Sequence, residues 1–338
     1  MRAVRVLVTG ATGFLGGHIV DRLIAGGHSV RALVRTPAKA SAIAEKGVEL
    51  SPGDVRDSES VKRAAAGVDA IVAAAGLNPP FLPKGDPDGD VLFDTNVLGL
   101  VYAARAALEV GAKRLVSISS PMIFGHVEGT FTDESHLENL ARYSGPYVIS
   151  RMQQQLEAQR YALLGLHVVT LHPFFVVGAG DVGPNIAGGI VLNLLRRRLP
   201  FVLPGGAAWV GVDDVARAVV ASLTRGASGG AYILTSENVS FRDLGERIQR
   251  IAGVRAPTRA ISRSALRTGT ALAKLGVGLT GRSSSFGKDR TLDLIFEGAY
   301  WDGALAEREL GLTYSPLDES LRAAADDFRA RGLWKPEA

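Results

Sequence analysis

The sequence predicts an α/β fold: a doubly wound parallel sheet with a smaller C-terminal α/β domain. Three observations predict it. Short apolar runs alternate with helical periodicity through the first 175 residues. Those runs are apolar on both faces, as in strands covered by helices on each side. A glycine-rich turn then joins the first run directly to the first helical segment.

The elements follow in order. Strand-like runs fall at 5–8, 29–34, 48–50, 70–74, 114–117 and 168–171, and helical patterns at 15–25, 58–66 and 94–110. Beyond Pro173 the pattern loosens. Gly- and Pro-rich loops at 178–189 and 204–206 alternate with helical segments at 190–198, 212–224 and 241–252. Residues 1–175 are therefore expected to form a dinucleotide-binding domain and 176–338 a substrate domain, with 210–235 returning to the first sheet. Such sheets bind ligands at the carboxyl ends of their strands, where strand order reverses.

Composition narrows the function. Of 338 residues 46% are hydrophobic, 38 Lys and Arg face 34 Asp and Glu, 40 are glycine and none is cysteine. Without cysteine there is no disulfide, no thiolate metal site and no thiol nucleophile. The chain is too apolar to be disordered. A pI of about 9.4 is weak evidence for a polyanionic partner. The triplet Arg196–Arg198 ends a helical pattern, where positive charge suits the carbonyl end of the dipole. No basic, aromatic-rich context surrounds it, so no nucleic-acid partner is expected. The first ten residues run apolar into a glycine turn without a cleavage-site pattern, which favours a cytoplasmic location. Residues 264–280 carry Arg267, Lys274 and several glycines, too polar to span a bilayer, so no membrane partner is expected.

The turn itself reads Thr9-Gly10-Ala11-Thr12-Gly13-Phe14-Leu15-Gly16. Gly10 permits a tight turn, Gly13 lets backbone approach a pyrophosphate, and Gly16 allows close helix–sheet packing, the pattern of a Rossmann-type site. The helix that starts here offers free N–H groups and partial positive charge to phosphates. The second strand ends at Arg35 with no acid before Glu45. A guanidinium there matches a ribose 2′-phosphate, which favours NADP(H) over NAD(H). A solvated Arg stacked on adenine is the bland alternative. At the end of the third strand Asp54, followed by Val55, can accept from an adenine amino group.

Further motifs come in sequence: Asn96-Val97-Leu98-Gly99, Ser119-Ser120-Pro121-Met122-Ile123-Phe124-Gly125, Pro146-Tyr147-Val148-Ile149-Ser150-Arg151, then 212–216 and 302–311. Together with the glycine turn they resemble the extended short-chain dehydrogenase/reductase superfamily, the NAD-dependent epimerase/dehydratase group, over most of the chain. The end of the second strand is similar to flavonoid- and steroid-type reductases of that branch. The resemblance implies Tyr147 as acid/base and Ser120 as carbonyl partner, with Ser119 next in line. It implies Asn96 as a supporting residue, and Arg151 in the place of a Lys that binds the nicotinamide ribose and lowers the Tyr pKa. The cofactor is expected on Gly10, Thr12, Gly13, Phe14, Leu15, Gly16, Arg35, Asp54, Val55, Ala74, Arg151 and Pro173. A homodimer is open by analogy alone.

Tyr147 and Arg151 lie four apart, on one face of a helix that Ser144 and Pro146 start. A guanidinium favours a nearby phenolate but cannot relay a proton. Three readings stay open: Arg151 as an electrostatic substitute, a different proton route, or a non-catalytic dinucleotide sensor. The six histidines show no metal spacing. His172 could touch the ligand but reads better as a satisfied structural residue, and Asp213-Asp214 as a cap and buried acceptor rather than a metal pair. No metal is expected. The segments 78–83, 174–177 and 208–210 are mostly apolar or aromatic, and the stretch before Val212 lacks the Arg that clamps a sugar-nucleotide diphosphate. An NADP(H)-dependent ketoreductase or alcohol dehydrogenase for an apolar, cyclic small molecule is therefore expected. Its rivals are a nucleotide-sugar epimerase or dehydratase and the sensor.

Overall fold

Six short strands, β1 (Arg5–Thr9), β2 (Ser29–Val34), β3 (Glu49–Pro52), β4 (Ala70–Ala73), β5 (Arg114–Ile118) and β6 (His167–Pro173), form the first part of the chain. The chain then leaves for β7 (Phe175–Val177) and β8 (Gly206–Gly211), returns with β9 (Gly230–Leu234), and leaves again with β10 (Glu237–Ser240). This computed structural model describes residues 3–78, 90–127, 129–136, 145–262, 265 and 297–336. The large sheet has seven strands in the order β3-β2-β1-β4-β5-β6-β9. Every pair in it is parallel. The order reverses between β1 and β4, so the crevice that binds a ligand opens above those two strands.

Helices α1 (Phe14–Ala25), α2 (Ser41–Ala44), α3 (Ser58–Ala65), α4 (Asp90–Phe93), α5 (Gly99–Val110) and α6 (Pro146–Leu163) fill the crossovers. They are followed by α7 (Ile186–Leu195), α8 (Val212–Ser222), α9 (Phe241–Ala252), α10 (Ala304–Leu310) and α11 (Leu317–Ala330). In α1 the buried residues Gly16, Ile19, Val20 and Leu23 mark a single stripe at helical spacing. That stripe meets α8 on one face of the sheet, with α10 beside it. Helices α3, α5 and α6 cover the other face. Covering both faces explains why the central strands are apolar at successive positions: β4 is buried throughout.

The small three-stranded sheet, β10-β8-β7, packs against α7, α9 and α11 around Phe175, Trp209 and Phe328. Each large apolar side chain fully buried there contributes roughly 1.5–3 kcal/mol. A fourth cluster of Met122, Phe124, Val148, Ile233 and Trp301 joins the two sheets beneath the crevice.

Two helices differ from their sequence-based bounds. The helix expected at 94–110 begins with α4 at Asp90, and residues Asp94–Leu98 form a wider π turn before α5. Helix α7 runs Ile186–Leu195 rather than 190–198, because Asn185 caps it by accepting from the Gly188 N–H at 2.9 Å. Arg197, at φ 54°, ends it. Two glycines in the first turn of α7 masked that start. Residues 90–110 are long and apolar enough to cross a membrane, but 56% of an apolar 18-residue stretch within them is buried inside the protein. Most of the segment at 264–280 and the pocket residues 79–83 lie outside the described residues.

Candidate active site

The glycine turn builds the floor of the crevice. Gly10 sits at φ +73°, and a Cβ there would lie 2.8 Å from the Ala75 backbone nitrogen. Gly16 is tighter still: a Cβ would overlap the Gly10 carbonyl oxygen. Gly13 differs. It caps α1, its N–H donates to the Gly10 carbonyl at 2.9 Å, and it borders open cavity. Any side chain at Gly13 would occupy ligand space.

That cavity, about 530 Å³, reaches from the glycine turn to the tips of β5 and β6. Gly10, Thr12, Gly13, Phe14, Leu15, Gly16, Ala74, Ser120, Tyr147, Arg151 and Pro173 all line it, and so does Ser119. Asn96, Arg35, Asp54 and Val55 do not. Arg35 is exposed just beyond β2. Val55 packs beneath Gly99. The Asp54 carboxylate is engaged by Arg56, whose Nε and Nη2 donate to it at 3.1 and 2.9 Å. Those bonds hold it below the usual carboxylate range, with Arg35 adding to the effect. Arg56 was not anticipated, since nothing in the sequence shows the turn folding back on its own acid.

Helix α6 carries the candidate chemistry. Gly145 caps it and Pro146 opens it, where the missing proline N–H costs nothing. The Ser144 expected at this start lies outside the described residues. The Arg151 guanidinium lies 5.2 Å over the Tyr147 ring. It is buried, and Nη1 donates to the Ile118 carbonyl at 3.3 Å and to Gln154 Oε1 at 2.9 Å. Among the described residues its Nε has no partner, nor does the buried Ser119 hydroxyl. Ser120 Oγ instead accepts from the Met122 N–H at 3.4 Å, capping the turn Pro121–Phe124.

Asn96, in the π turn, is buried behind the cavity wall. Its side chain accepts from the Leu77 N–H at 2.9 Å and donates to the Leu77 carbonyl and Ser150 Oγ, each at 3.2 Å. Ser150 Oγ in turn donates to the Tyr147 carbonyl at 2.8 Å. Asn96 thus ties the β4 exit to the first turn of α6. His172 is fully buried, and burial, with the Arg151 charge adding to it, pushes its imidazole down to about 3. A neutral ring donates from Nδ1 to the Ser120 carbonyl at 3.1 Å, while Nε2 has no partner among the described residues. The structural histidine that the sequence suggests is held at one nitrogen, by the Ser120 carbonyl.

The far wall is the loop before α7. His18 bonds the Ala179 carbonyl at 3.0 Å, and Arg331 donates to the Asp181 carbonyl at 2.8 Å. Asp181 lines the cavity, and burial raises its carboxyl above the ordinary value. Asp213 and Asp214 serve separate partners: Asp213 pairs with His18 at 3.1 Å, and Asp214 with Arg217 and Ser315.

A glycine cradle at the switch point and a Ser/Tyr/basic wall beside β5 define a dinucleotide-dependent enzyme of the short-chain dehydrogenase/reductase type. The chain belongs to the NAD dependent epimerase/dehydratase family, whose model matches residues 6–234. It is an NAD(P)-dependent enzyme of that extended superfamily. It is 30% identical to "Sterol demethylase protein B" of Methylococcus capsulatus over 336 residues, 97% of this chain and 99% of that one. It is 28% identical to a "Putative dihydroflavonol 4-reductase" of Synechocystis over 337 residues, 98% and 96% of the two chains. The structure of a nucleoside-diphosphate-sugar epimerase from Pseudomonas aeruginosa superposes with TM-score 0.78 at 25% identity, covering 99% of this chain and 100% of that one.

The residues present fit such a cofactor. The cavity wall left bare at Gly13 suits a pyrophosphate, and Arg151 and Ser119, which line the cavity, each keep a buried donor, Nε and Oγ, without a partner among the described residues.

Proposed function

We propose that this enzyme interconverts a ketone and a secondary alcohol on an apolar, cyclic small molecule, with NADP(H) preferred over NAD(H). One observation carries the reading: the makeup of the cavity wall. Met122, Phe174, Phe175, Val176, Val182 and Ile186 supply apolar surface, while Thr12, Asn78, Ser119, Ser120, Tyr147, Asp181 and Asn185 supply the uncharged polar groups and one acid. Among the described residues Arg151 is the one cation lining it. A sugar nucleotide would leave its diphosphate facing apolar side chains and the buried Asp181, an expensive mismatch. The printed names of two relatives, a sterol demethylase protein and a putative dihydroflavonol reductase, point to ring-bearing, largely apolar substrates as well.

When bound, the nicotinamide supplies or accepts the hydride. The protein does the rest. The glycine turn and the N-terminus of α1 hold the phosphates. The Ser120 hydroxyl, with Ser119 beside it, donates to the carbonyl oxygen and orients it. The Tyr147 hydroxyl gives that oxygen its proton in reduction and takes it back in oxidation. Arg151 supports negative charge on the phenol oxygen without itself passing a proton. Arg35 would receive a 2′-phosphate at the exposed end of β2.

NADPH and NADH titrations followed by a panel of cyclic ketones test this. NADPH is expected to bind more tightly and to be oxidised by an apolar ketone. Loss of the general acid in Tyr147→Phe is expected to lower kcat about 10²–10⁴-fold with little change in KM. Turnover of a nucleotide sugar, or unchanged kcat in Tyr147→Phe, would overturn the reading.

A further inference from the structure

Gln154 is buried three residues beyond Arg151, and seven beyond Tyr147, on the same face of α6. Its amide orientation is decided by its neighbours. The Ile118 carbonyl can only accept, so Nε2 must face it, at 3.1 Å, with Ser117 Oγ at 3.0 Å. Oε1 is then left for Arg151 Nη1 at 2.9 Å. Every acceptor the guanidinium meets is neutral: Gln154 Oε1, the Ile118 carbonyl and, at 3.5 Å, the Leu77 carbonyl. Among the described residues no carboxylate pairs with it.

On the opposite side the chain is glycine. A Cβ on Gly76 would lie 2.8 Å from Arg151 Nη2. Gly76 and Gln154 therefore form a socket shaped for a planar fork, larger than an ammonium head. A buried cation without a counterion is costly, and a Glu at 154 would relieve the cost. The amide holds the guanidinium without neutralising it, so its charge remains directed at the Tyr147 ring and the cavity.

We propose that Gln154 is a positioning residue that, with Gly76, fits an arginine to this site and preserves its full charge for the phenol oxygen of Tyr147. This rests on the reading of Tyr147 as acid/base. It also explains how arginine can work there: the position needs a fixed positive charge, not a proton relay.

Gln154→Glu is close to isosteric. Its carboxylate would pair with Arg151 and cancel the charge, while giving up the two bonds that Nε2 donates to Ile118 and Ser117. Stability is expected to fall with those bonds, kcat to fall about tenfold, and the limb of the kcat–pH profile that disappears in Tyr147→Phe to move up by about one pH unit. A residue with a merely structural role would leave the profile in place. Gln154→Leu should cost about tenfold in kcat beside Arg151 but about twofold or less in the Arg151→Lys background, because an ammonium does not use the socket. Equal losses in both backgrounds, or an unmoved profile in Gln154→Glu, would overturn the proposal.

A second readout needs no turnover. Phenolate absorbance near 295 nm, taken as the difference between each protein and its Tyr147→Phe partner, reports ionisation at Tyr147 directly. The midpoint is expected to lie higher in Gln154→Glu than in the parent chain. If the parent turns over no ketone but the midpoint moves, the function is wrong and the socket stands. If the midpoint does not move, the socket falls whatever the substrate.

Discussion

The two ends of the cavity are built from different materials. At the glycine turn the contacts are backbone against backbone: Gly16 beneath the Gly10 carbonyl, Gly10 against Ala74 and Ala75. At the β5–α6 end they start from side chains, with Arg151, Gln154, Asn96 and His172 reaching backbone carbonyls on other elements. A backbone site tolerates no added atom but asks nothing of side-chain chemistry. A side-chain site tolerates substitution if the network can be rebuilt, as the Arg151–Gln154 pair illustrates. Damage at the first end should therefore be steric and all-or-none, and at the second electrostatic and graded.

The sharpest way to break that contrast is Gly16→Ala. With no room for the methyl group, β1 and α1 must separate, and overpacking of this kind costs typically 1–3 kcal/mol or more. Urea unfolding should show that loss, and cofactor titration should show affinity falling with it. The neighbour Gly17 supplies the control, since a Cβ there meets nothing within 4 Å. Gly17→Ala should be neutral or stabilising by up to about 1 kcal/mol, through helix propensity. A tolerated Gly16→Ala would show that the turn yields as the other end does.

At the side-chain end, His172 offers a graded test. Its imidazole is held down to about 3 in the folded chain, chiefly by burial. An unfolded histidine titrates near 6.5. Between those values the unfolded chain binds a proton that the folded chain refuses, so stability must fall as pH drops. The contribution is whole above about pH 6.5 and declines by up to about 1.4 kcal/mol per unit below it. Denaturation at pH 6.5, 5.5 and 4.5 should show a steeper decline for the parent chain than for His172→Gln. Equal slopes would mean that the ring protonates within the fold.

Legibility in the sequence follows the same division. Glycines 10, 13 and 16, the apolar strands and the parallel sheet could be read because each depends on local spacing and burial. Tyr147 and Arg151 could be paired because they sit four apart on one helix. Gln154 could not be singled out, since its partners Ser117 and Ile118 lie 37 and 36 residues away. Nor could the latch of Arg331 onto Asp181, 150 residues apart. The π turn that carries Asn96 leaves no mark in the apolar period. What escapes reading is polar and non-local: hydrogen bonds whose partners only the folded sheet brings together.

The exposed end of β2 tests whether the contrast extends beyond the cavity, and there the expected effect is smallest. Arg35 stands in solvent, where an ion pair is screened within about 8–10 Å by ordinary salt. Asp54, close enough to feel that charge, is already bound by Arg56. A 2′-phosphate arriving at Arg35 would therefore meet an acid whose charge is offset. Arg35→Ala should weaken NADPH binding by about tenfold at low salt, leave NADH unchanged, and show a smaller difference as salt rises. Arg56→Ala should act in the same direction for a different reason: it releases the Asp54 carboxylate to repel the phosphate. If Arg35→Ala weakened both cofactors equally, the residue would be stacking on adenine rather than reading the phosphate. If Arg56→Ala left NADPH binding intact, the Asp54–Arg56 pair would be a local turn clamp with no part in cofactor choice.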